Sequence, residues 1–566
     1  MNTQTLKGSQ IIIETLIEQG VTHIFGYPGG QVLQIYDQLY KNEGRITHVL
    51  TAHEQGAAHA ADGYARATGK VGVVLATSGP GATNLTTGLA AAMMDSVPLV
   101  AITGNVPTYF IGKDSFQEIN TIGITMPITK HNFYVTDVTK LADTIRDAFR
   151  IAKSGRPGPV LVDIPSDVQA AETEFTKWYE VQPYQEDQAP ENEIWKAVDM
   201  INEAKRPYIY VGGGAGSRNL GQAITELADK IDACIGCTFM GISCIPTKHE
   251  RFLGMQGMHG RYASTKANWD ADLIIGIGVR FSDRATGDRD AYVEGKKIIQ
   301  IDPDFSEINK NINVDLGLIG DIVFTVRRIL ENVDKAKHPE WMAQVASFRE
   351  EEKRLEEQAE AKAENPFTPK KIYEAINELK NDDTIITTDV GQHQMWAAQY
   401  LDFEKTRKFL SSGGLGAMGY GMGAAIGANL ATGIKPVMIT GDGSFSMNLI
   451  ELATAVTYKV PVVIVLLNNH SLGMVRQLQV VYCGSRYSAT LPDRKTDFCM
   501  VAEGMGAKAK RVTDIEGFRE AFAEAMTSDG PYLVEAMIDT WELVLPMLPN
   551  GGTVKDLITE KDQKKE

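Results

Sequence analysis

Short apolar runs alternate with amphipathic segments along most of the chain. Near the amino end these runs lie in VTHIFGYPGG, ITHVLTAHEQ, KVGVVLATSGPG, VPLVAITG and GPVLVDIP. Apolar runs bounded by glycine, proline or polar turn residues are typical of buried strands, and their alternation with helical segments indicates βαβ units. Residues 1–180 are therefore predicted to form one α/β domain with a parallel sheet.

The same alternation occurs twice more. Residues 190–335 contain PYIYVGGGAG, ADLIIGIGVRFSDR, KKIIQIDPD and VDLGLIGD, and residues 369–545 contain DTIITTDVGQHQMW, KPVMITGDGSF, KVPVVIVLLNNHS and GPYLVEAMID. The predicted fold class is α/β, with three doubly wound parallel sheets.

Residues 336–368 interrupt this alternation. They contain REEEKRLEEQAEAKAENP, which is charged and poor in aromatic residues. We predict a surface helix that serves as a linker. Residues 546–566 end in EKDQKKE and are predicted to be a solvated tail.

Composition narrows the class of protein. The 566 residues include 56 basic and 72 acidic ones, and a net charge of −16 argues against a surface for nucleic acid or an anionic membrane. Glu14 and Glu18 interrupt the first apolar segment, so a signal peptide is not expected, and VPVVIVLL is too short to span a bilayer. Five cysteines in so long a chain favour a reducing compartment. We expect a cytoplasmic protein.

The strongest candidate chemistry lies at Asp442 and Asn469. Asp442 follows the apolar run in KPVMIT and Asn469 follows PVVIVLL, with a helix predicted from Ser446 to about Tyr458 between them. Neighbouring strands lie about 4.8 Å apart, so both side chains can face one site. Two such oxygen ligands suit Mg²⁺, and the glycines of GDG allow a phosphate to approach the backbone. The alternative is an Asp helix cap beside an unrelated Asn turn.

These residues carry a resemblance to a known family. GDG followed by NN at this distance is similar to the metal-diphosphate motif of thiamine diphosphate enzymes. The chain further resembles the catalytic (large) subunit of acetohydroxyacid (acetolactate) synthases over residues 5–550, in GGLGAMGYGMGAAIGA, TDVGQHQMW, SGRPGPVLVDIP, DSFQE, GITMPITKHNF, GMHG, GVRFSDR and GMVRQ.

The resemblance implies a function and its cofactors. Enzymes of this family decarboxylate pyruvate and join the two-carbon unit to a second pyruvate or to 2-ketobutyrate, in branched-chain amino acid biosynthesis. It implies thiamine diphosphate, Mg²⁺ and FAD, a homodimer or tetramer, and a small regulatory subunit. The three domains then bind the pyrimidine (1–180), FAD (190–335) and the diphosphate with its metal (369–545). Two alternatives stay open: another thiamine diphosphate-dependent 2-keto acid decarboxylase or carboligase, and a catalytically silent assembly subunit.

The resemblance also implies roles for individual residues. Glu54 bonds the aminopyrimidine across a subunit boundary, Gln117 hydrogen-bonds the site, and Arg284 binds the carboxylate of the second keto acid. For Glu54 the alternative is an acid that stabilises a helix start, and for Arg284 it is an ion pair with Asp283. The metal ligands are Asp442, Asn469 and the main-chain carbonyl of Ser471. The substrate pocket is walled by Phe116 and Leu478.

Two cofactor-binding sets follow from the same resemblance. Thiamine diphosphate is expected to contact Pro28, Gly29, Asn84, Val390, Gly391, Gln392, His393, Gly416, Met418, Gly443, Ser444, Met447 and Met474. FAD, in a structural role, is expected to contact Arg156, Gly212, Gly213, Gly214, Met240, His259, Gly278, Arg280, Asp302 and Asp321. The VGGGAG motif alone is weak support for FAD, because Ser217 stands where GxGxxG needs glycine.

The chain departs from the family at Leu478, where VRQLQ replaces the usual VRQWQ. The family's Trp favours 2-ketobutyrate and contacts commercial herbicides, so we expect a weak 2-ketobutyrate preference and poor sulfonylurea sensitivity. Ser166 and Ser282 also replace the usual Lys and Asp, which affects acceptor choice and inhibitor response. Cys234 and Cys237 in CIGC are predicted to be core residues rather than zinc ligands.

Overall fold

Three six-stranded parallel sheets form the framework of the protein. The structure, a computed structural model, describes residues 3–178 and 185–560. Every pairing within these three sheets is parallel, as the alternating pattern predicts, which confirms the α/β fold class.

The first sheet has the order β3–β2–β4–β5–β7–β6. Its strands are β2 (His23–Gly26), β3 (Thr47–Leu50), β4 (Gly72–Ala76), β5 (Leu99–Asn105), β6 (His131–Tyr134) and β7 (Pro159–Pro165), and β1 (Thr3–Lys7) pairs antiparallel with β8 (Glu172–Thr176) beside it. Its helices are α1 (Gly8–Glu18), α2 (Leu33–Lys41), α3 (Glu54–Thr68), α4 (Pro80–Asn84), α5 (Thr86–Met94), α6 (Thr121–Thr125), α7 (Leu141–Lys153) and α8 (Ser166–Ala170).

The second sheet has the order β11–β10–β9–β12–β13–β14. Its strands are β9 (Pro207–Val211), β10 (Cys234–Cys237), β11 (Phe252–Met255), β12 (Leu273–Ile277), β13 (Lys297–Asp302) and β14 (Leu316–Ile319). Its helices are α9 (Glu191–Glu203), α10 (Gly213–Gly216), α11 (Gly221–Ile231), α12 (Tyr262–Asp270), α13 (Asp283–Thr286), α14 (Arg289–Val293) and α15 (Ile322–Asn332). Both cysteines of CIGC are buried in β10 and belong to hydrophobic clusters, in agreement with a core role.

The third sheet has the order β16–β15–β17–β18–β20–β19. Its strands are β15 (Ile385–Thr388), β16 (Phe409–Ser411), β17 (Pro436–Gly441), β18 (Val463–Asn468), β19 (Lys508–Val512) and β20 (Tyr532–Met537). The helices around it are α17 (Pro369–Leu379), α18 (Gln392–Tyr400), α19 (Tyr420–Thr432), α20 (Asp442–Asn448), α21 (Glu451–Thr457), α22 (Gly473–Cys483), α23 (Phe498–Gly504) and α24 (Ile515–Thr527).

The predicted linker helix is α16 (Pro339–Lys362), in which only Trp341 and Val345 are buried. The charged sequence therefore does form a helix that lies on the surface over most of its length. Within the two described ranges, no helix combines the length and the apolar character needed to cross a bilayer.

The first and third sheets are joined by two helices that pack without intervening side chains. A Cβ placed on Gly63 of α3 would lie 2.2 Å from the carbonyl oxygen of Ala424, and one on Gly427 of α19 would lie 1.8 Å from that of Ala60. The backbones of α3 and α19 are thus in direct contact, which only glycine permits at positions 63 and 427. This contact sets the position of the first domain against the third.

Candidate functional site

Asp442 and Asn469 lie at the carboxyl ends of neighbouring strands. Gly441 of β17 pairs with Leu467 of β18, so the two residues that follow these strands share one sheet edge, as predicted. Both are almost fully buried. The predicted helix limits were wrong: α20 begins at Asp442 itself, because the strand enters the helix without a loop, and α21 is a separate helix.

Hydrogen bonds distinguish the two asparagines of the NN pair. Asn468 donates from Nδ2 to Glu535 Oε1 at 2.8 Å, away from the sheet edge. Asn469 donates to Gln392 Oε1 at 3.2 Å and accepts from the backbone N–H of Ser471 at 3.1 Å. The carboxamide of Asn469 is thereby oriented, and its oxygen keeps a second lone pair for a ligand.

The start of α18 provides a neutral imidazole beside this edge. His393 is buried, its Nε2 has no hydrogen-bond partner among the described residues, and burial lowers the pKa of its ring to about 3. The ring packs against two glycines: a Cβ on Gly391 or on Gly441 would lie within 2.9 Å of it. Gln392 is held by the carbonyl oxygen of Glu542, to which its Nε2 donates at 2.8 Å. An unpartnered buried nitrogen at this place fits a polar ligand.

A buried carboxylate that the sequence analysis did not identify ties the loops of the site together. Asp389 accepts hydrogen bonds from the backbone N–H of Gly421 and from Thr440 Oγ1, both at 2.8 Å. Ser444 Oγ accepts from the N–H groups of Val390 and Gly419, at 3.4 and 3.3 Å. Asp389 stands inside the TDVGQH motif, but nothing in its spacing separates it from a surface Asp.

The remaining predicted diphosphate-side residues are spread around this edge. Gly416 has a φ of +69°, a left-handed conformation that favours glycine, and lies near Val390. Met418 and Leu472 flank Gly443. Met474 and Leu478 are half-buried on successive turns of α22, and Met447 is largely exposed. An open apolar surface therefore borders the polar cluster.

Electrostatics at the edge suits a cation. Burial raises the pKa of Asp442 to about 6, although the N–H of Gly443 opposes the shift. A bound divalent ion favours the ionised form and offsets the cost of burying it. Ser471 is buried next to Asn469, with its hydroxyl bonded to the carbonyl oxygen of Thr490. Asp442 and Asn469 fit a hard metal ion, and His393 and the glycines fit its diphosphate.

Glu54 lies in a second cluster, in the first domain. It is the first residue of α3, it is mostly buried, and its Oε2 accepts from Asn84 Nδ2 at 2.9 Å. Gly29, which follows Pro28 after β2, packs on Thr77. Among the described residues, no hydrogen bond joins Glu54 to Asp442 or Asn469. Glu54 and the Asp442–Asn469 pair therefore lie in separate hydrogen-bonded clusters, one in the first domain and one in the third.

The predicted substrate residues are accessible. Gln117 has a φ of +58° and its backbone packs against Gly79, which places it near the Glu54 cluster, while Phe116 is 85% exposed. Arg284 is also exposed, and its 3.8 Å contact with Asp283 is too long and solvated to account for the residue as a structural ion pair.

The glycines predicted to bind FAD pack against other backbone. A Cβ on Gly212 would lie 2.0 Å from the carbonyl oxygen of Gly278, and one on Gly214 would lie 2.9 Å from the Cα of Gly278. Gly213 lies next to Met240. Close packing of the turns after β9 and β12 therefore requires glycine at positions 212, 214 and 278, and the FAD role of these glycines stays a prediction.

The other predicted FAD residues divide into two groups. Arg156 already pairs with Glu307 at 2.5 Å, and Asp321 caps α15 by accepting from Val323 and Phe324. Three groups remain available. His259 is buried with Nδ1 unpartnered, burial lowers the pKa of the Arg280 guanidinium, and burial raises the pKa of Asp302 to about 6. His259, Arg280 and Asp302 thus keep hydrogen-bonding capacity that the described residues do not use.

A cavity of about 320 Å³ lies between α16, α18 and residues 539–546. The second half of α16 forms one wall and the end of α18 another, with Glu356, Trp396 and Trp541 among its lining residues. The cavity is separate from the predicted active-site residues, although Glu542 borders both regions.

Comparison with known proteins agrees with this geometry. Three family descriptions match the chain: the N-terminal TPP binding domain of thiamine pyrophosphate enzymes at residues 6–124, their central domain at 194–329, and their C-terminal TPP binding domain at 389–536. The fold and the site thus define an enzyme of the thiamine pyrophosphate-dependent class.

Full-length relatives narrow the class. A probable acetolactate synthase large subunit of Methanocaldococcus jannaschii is 43% identical, over 98% of this chain and 95% of its own length. The Escherichia coli isozyme 2 large subunit is 40% identical over 98% and 99%, and the chloroplastic acetolactate synthase 1 of Nicotiana tabacum is 41% identical over 98% and 85%. The chain belongs to the acetolactate synthase large-subunit family.

Proposed function

We propose that the protein decarboxylates pyruvate and condenses the two-carbon unit with a second pyruvate or with 2-ketobutyrate, in branched-chain amino acid biosynthesis. The observation that carries this is the placement of Asp442 and Asn469 on adjacent strand ends beside the unpartnered Nε2 of His393. Bound thiamine diphosphate supplies the electron sink for decarboxylation. The chain's own residues bind the cofactor, orient it and hold a proton next to it.

The Glu54 cluster and the Asp442–Asn469 cluster each form half of a site, and the two halves have distinct tasks. Asp442, Asn469 and the carbonyl of Ser471 would hold Mg²⁺, and the ion would supply positive charge for the diphosphate. Glu54, oriented by Asn84, holds a proton at the aminopyrimidine nitrogen. Arg284 receives the carboxylate of the second keto acid, and Gln117 and Phe116 line its path.

We propose that two copies of the chain complete each active site. The hydrogen bonds of Glu54 stay within the first domain, whereas the metal edge belongs to the third. A homodimer that pairs Glu54 of one copy with Asp442 of the other brings the half-sites together. Relatives named large subunits further support a small regulatory partner for this chain.

The first experiment measures acetolactate formed from pyruvate by purified protein with thiamine diphosphate, Mg²⁺ and FAD. Asp442→Ala is expected to abolish product and Mg²⁺-dependent cofactor binding together, whereas Asp383→Ala, a change of an exposed Asp in the same domain, leaves both unchanged. Acetaldehyde or peracid products in place of acetolactate indicate another member of the class. No product at all, with cofactor bound, indicates a silent subunit.

The acceptor preference rests on Leu478. A Trp at this half-buried position adds an aromatic wall, and differences of about one methylene in such a pocket are worth about 1–3 kcal/mol. When pyruvate and 2-ketobutyrate are supplied together, we expect Leu478→Trp to raise the ratio of acetohydroxybutyrate to acetolactate by about tenfold. Leu478→Met is the control. A wild-type enzyme that already strongly prefers 2-ketobutyrate contradicts the proposal.

FAD is proposed for the second domain, held by His259, Arg280 and Asp302. Arg280→Gln is expected to reduce flavin absorbance of the purified protein, while Arg289→Gln, also in the second domain, leaves it intact. Full flavin retention in Arg280→Gln contradicts this assignment.

A further inference from the structure

Glu451 is a buried acid of the third domain whose hydrogen bonds reach into the first. It is the first residue of α21 and is fully buried. Its carboxylate accepts from the backbone N–H of Ala52, at 3.2 and 3.1 Å from its two oxygens, and from that of His53 at 3.0 Å. Thr454 Oγ1 donates to Oε2 at 2.6 Å.

These contacts fix the turn that delivers Glu54. Ala52 and His53 lie between the end of β3 and the start of α3, and Glu54 is the next residue. Just after the other end of α21, the hydroxyl of Tyr458 accepts from the N–H of Leu50, the last residue of β3 before this turn, at 2.7 Å. One helix of the third domain therefore anchors the turn at two points.

The contact with α3 is tight as well as polar. A Cβ on Gly56 would lie 2.0 Å from Oε1 of Glu451, so α3 accommodates the carboxylate only with glycine there. A carboxylate is also the group that suits these partners. Two backbone N–H groups and a hydroxyl all donate to it, whereas an amide would direct its own N–H₂ at one of these donors.

We propose that Glu451 is a positioning residue, which fixes the backbone before Glu54 and so places the Glu54 carboxylate for proton exchange. This inference rests on the role proposed above for Glu54. Asn84 then orients the side chain from the other side. Displacement of an oriented catalytic group by about 1 Å can cost about 100-fold in rate, so loss of this anchor acts on catalysis without any contact to substrate.

The first test is amide hydrogen exchange in protein without cofactor. In Glu451→Gln we expect the amides of Ala52 and His53 to exchange at least about tenfold faster, since each loses a buried acceptor or gains a mismatched one. Tyr458→Phe is the matched control, in which only the amide of Leu50 accelerates. Gly56→Ala displaces the carboxylate from the opposite side and should reproduce the Glu451→Gln pattern. Unchanged exchange at Ala52 and His53 in both variants overturns the proposal.

The second test separates positioning from general structural damage. Glu451→Gln is expected to lower kcat about 10- to 100-fold, with KM for pyruvate and the Kd for thiamine diphosphate within about twofold of the parent. Residues that act through one another are not additive, so Glu54→Gln/Glu451→Gln should be no slower than Glu54→Gln. A double variant slowed by the product of both factors refutes the mechanism. If the parent protein makes no acetolactate, the proposed function fails and the exchange experiment alone decides on the anchor.

Discussion

Asp389 provides the sharpest test of what holds together the sheet edge that carries Asp442 and Asn469. In Asp389→Ala the N–H of Gly421 loses its acceptor in a buried place, whereas Thr440 can turn its hydroxyl to the carbonyl oxygen of Gly441, 3.3 Å away. One unsatisfied buried donor costs about 1–3 kcal/mol, and the weakened second bond adds about 1 kcal/mol. Burial raises the pKa of Asp389, which shows that the buried charge is itself unfavourable. Removing that charge therefore offsets part of the lost free energy of unfolding. We expect a net loss of about 3 kcal/mol.

The measurement is thermal unfolding together with cofactor titration. If the first and third domains unfold together as about 350 residues, about 3 kcal/mol corresponds to a fall in Tm of about 4 °C. The Kd for thiamine diphosphate, followed by tryptophan fluorescence, should rise about tenfold or more, because Asp389 ties Gly421 and Thr440 to the site. Asp389→Asn keeps one acceptor and should fall between Ala and the parent. A Tm change below about 1 °C with unaltered Kd refutes this reasoning.

Two further predictions concern the first domain and its contact with the third. Arg66→Gln leaves the fully buried carboxylates of Asp62 and Asp95 without their cation and should lower the free energy of unfolding by about 3–5 kcal/mol, measured by thermal unfolding. Arg150→Gln is the control, because the exposed ion pair of Arg150 contributes about 0–1 kcal/mol. Burial raises the pKa of Asp163 in the folded state to about 6, so the protonated carboxyl stabilises the fold at low pH. This contribution is lost as pH rises from about 4 to 6. Asp163→Asn should therefore flatten the pH dependence of Tm in that window, and an unchanged slope would contradict the assignment.

The central strands could be predicted from the sequence because they are buried on both faces. β17 and β18 are continuous apolar runs, and their order in a βαβ unit placed Asp442 and Asn469 at one edge. The strands that the analysis missed are short or polar. β6 reads HNFY with no fully buried residue, β16 has three residues, and β19 reads KAKRV on the edge of its sheet. Edge strands show a weaker apolar signal, because one side of each faces solvent.

Part of the site could not be derived from linear spacing. Glu451 serves a turn 398 residues earlier in the chain, at His53, and such a contact exists only once the two domains have packed. The same holds for the unpartnered nitrogen of His393, since burial and hydrogen bonding are properties of the fold. The glycines of VGGGAG show that packing of two turns can require the same residues as a ligand-binding pattern.

The direct contact of α3 and α19 has a consequence for how the protein can open. A small sliding or rotation between these helices would press neighbouring side chains into carbonyl oxygens, so the two helices move as one rigid unit rather than as a hinge. Movement that admits a cofactor is therefore expected in the loops around the site rather than between these two helices. In calorimetry, the first and third domains should accordingly melt as one cooperative block.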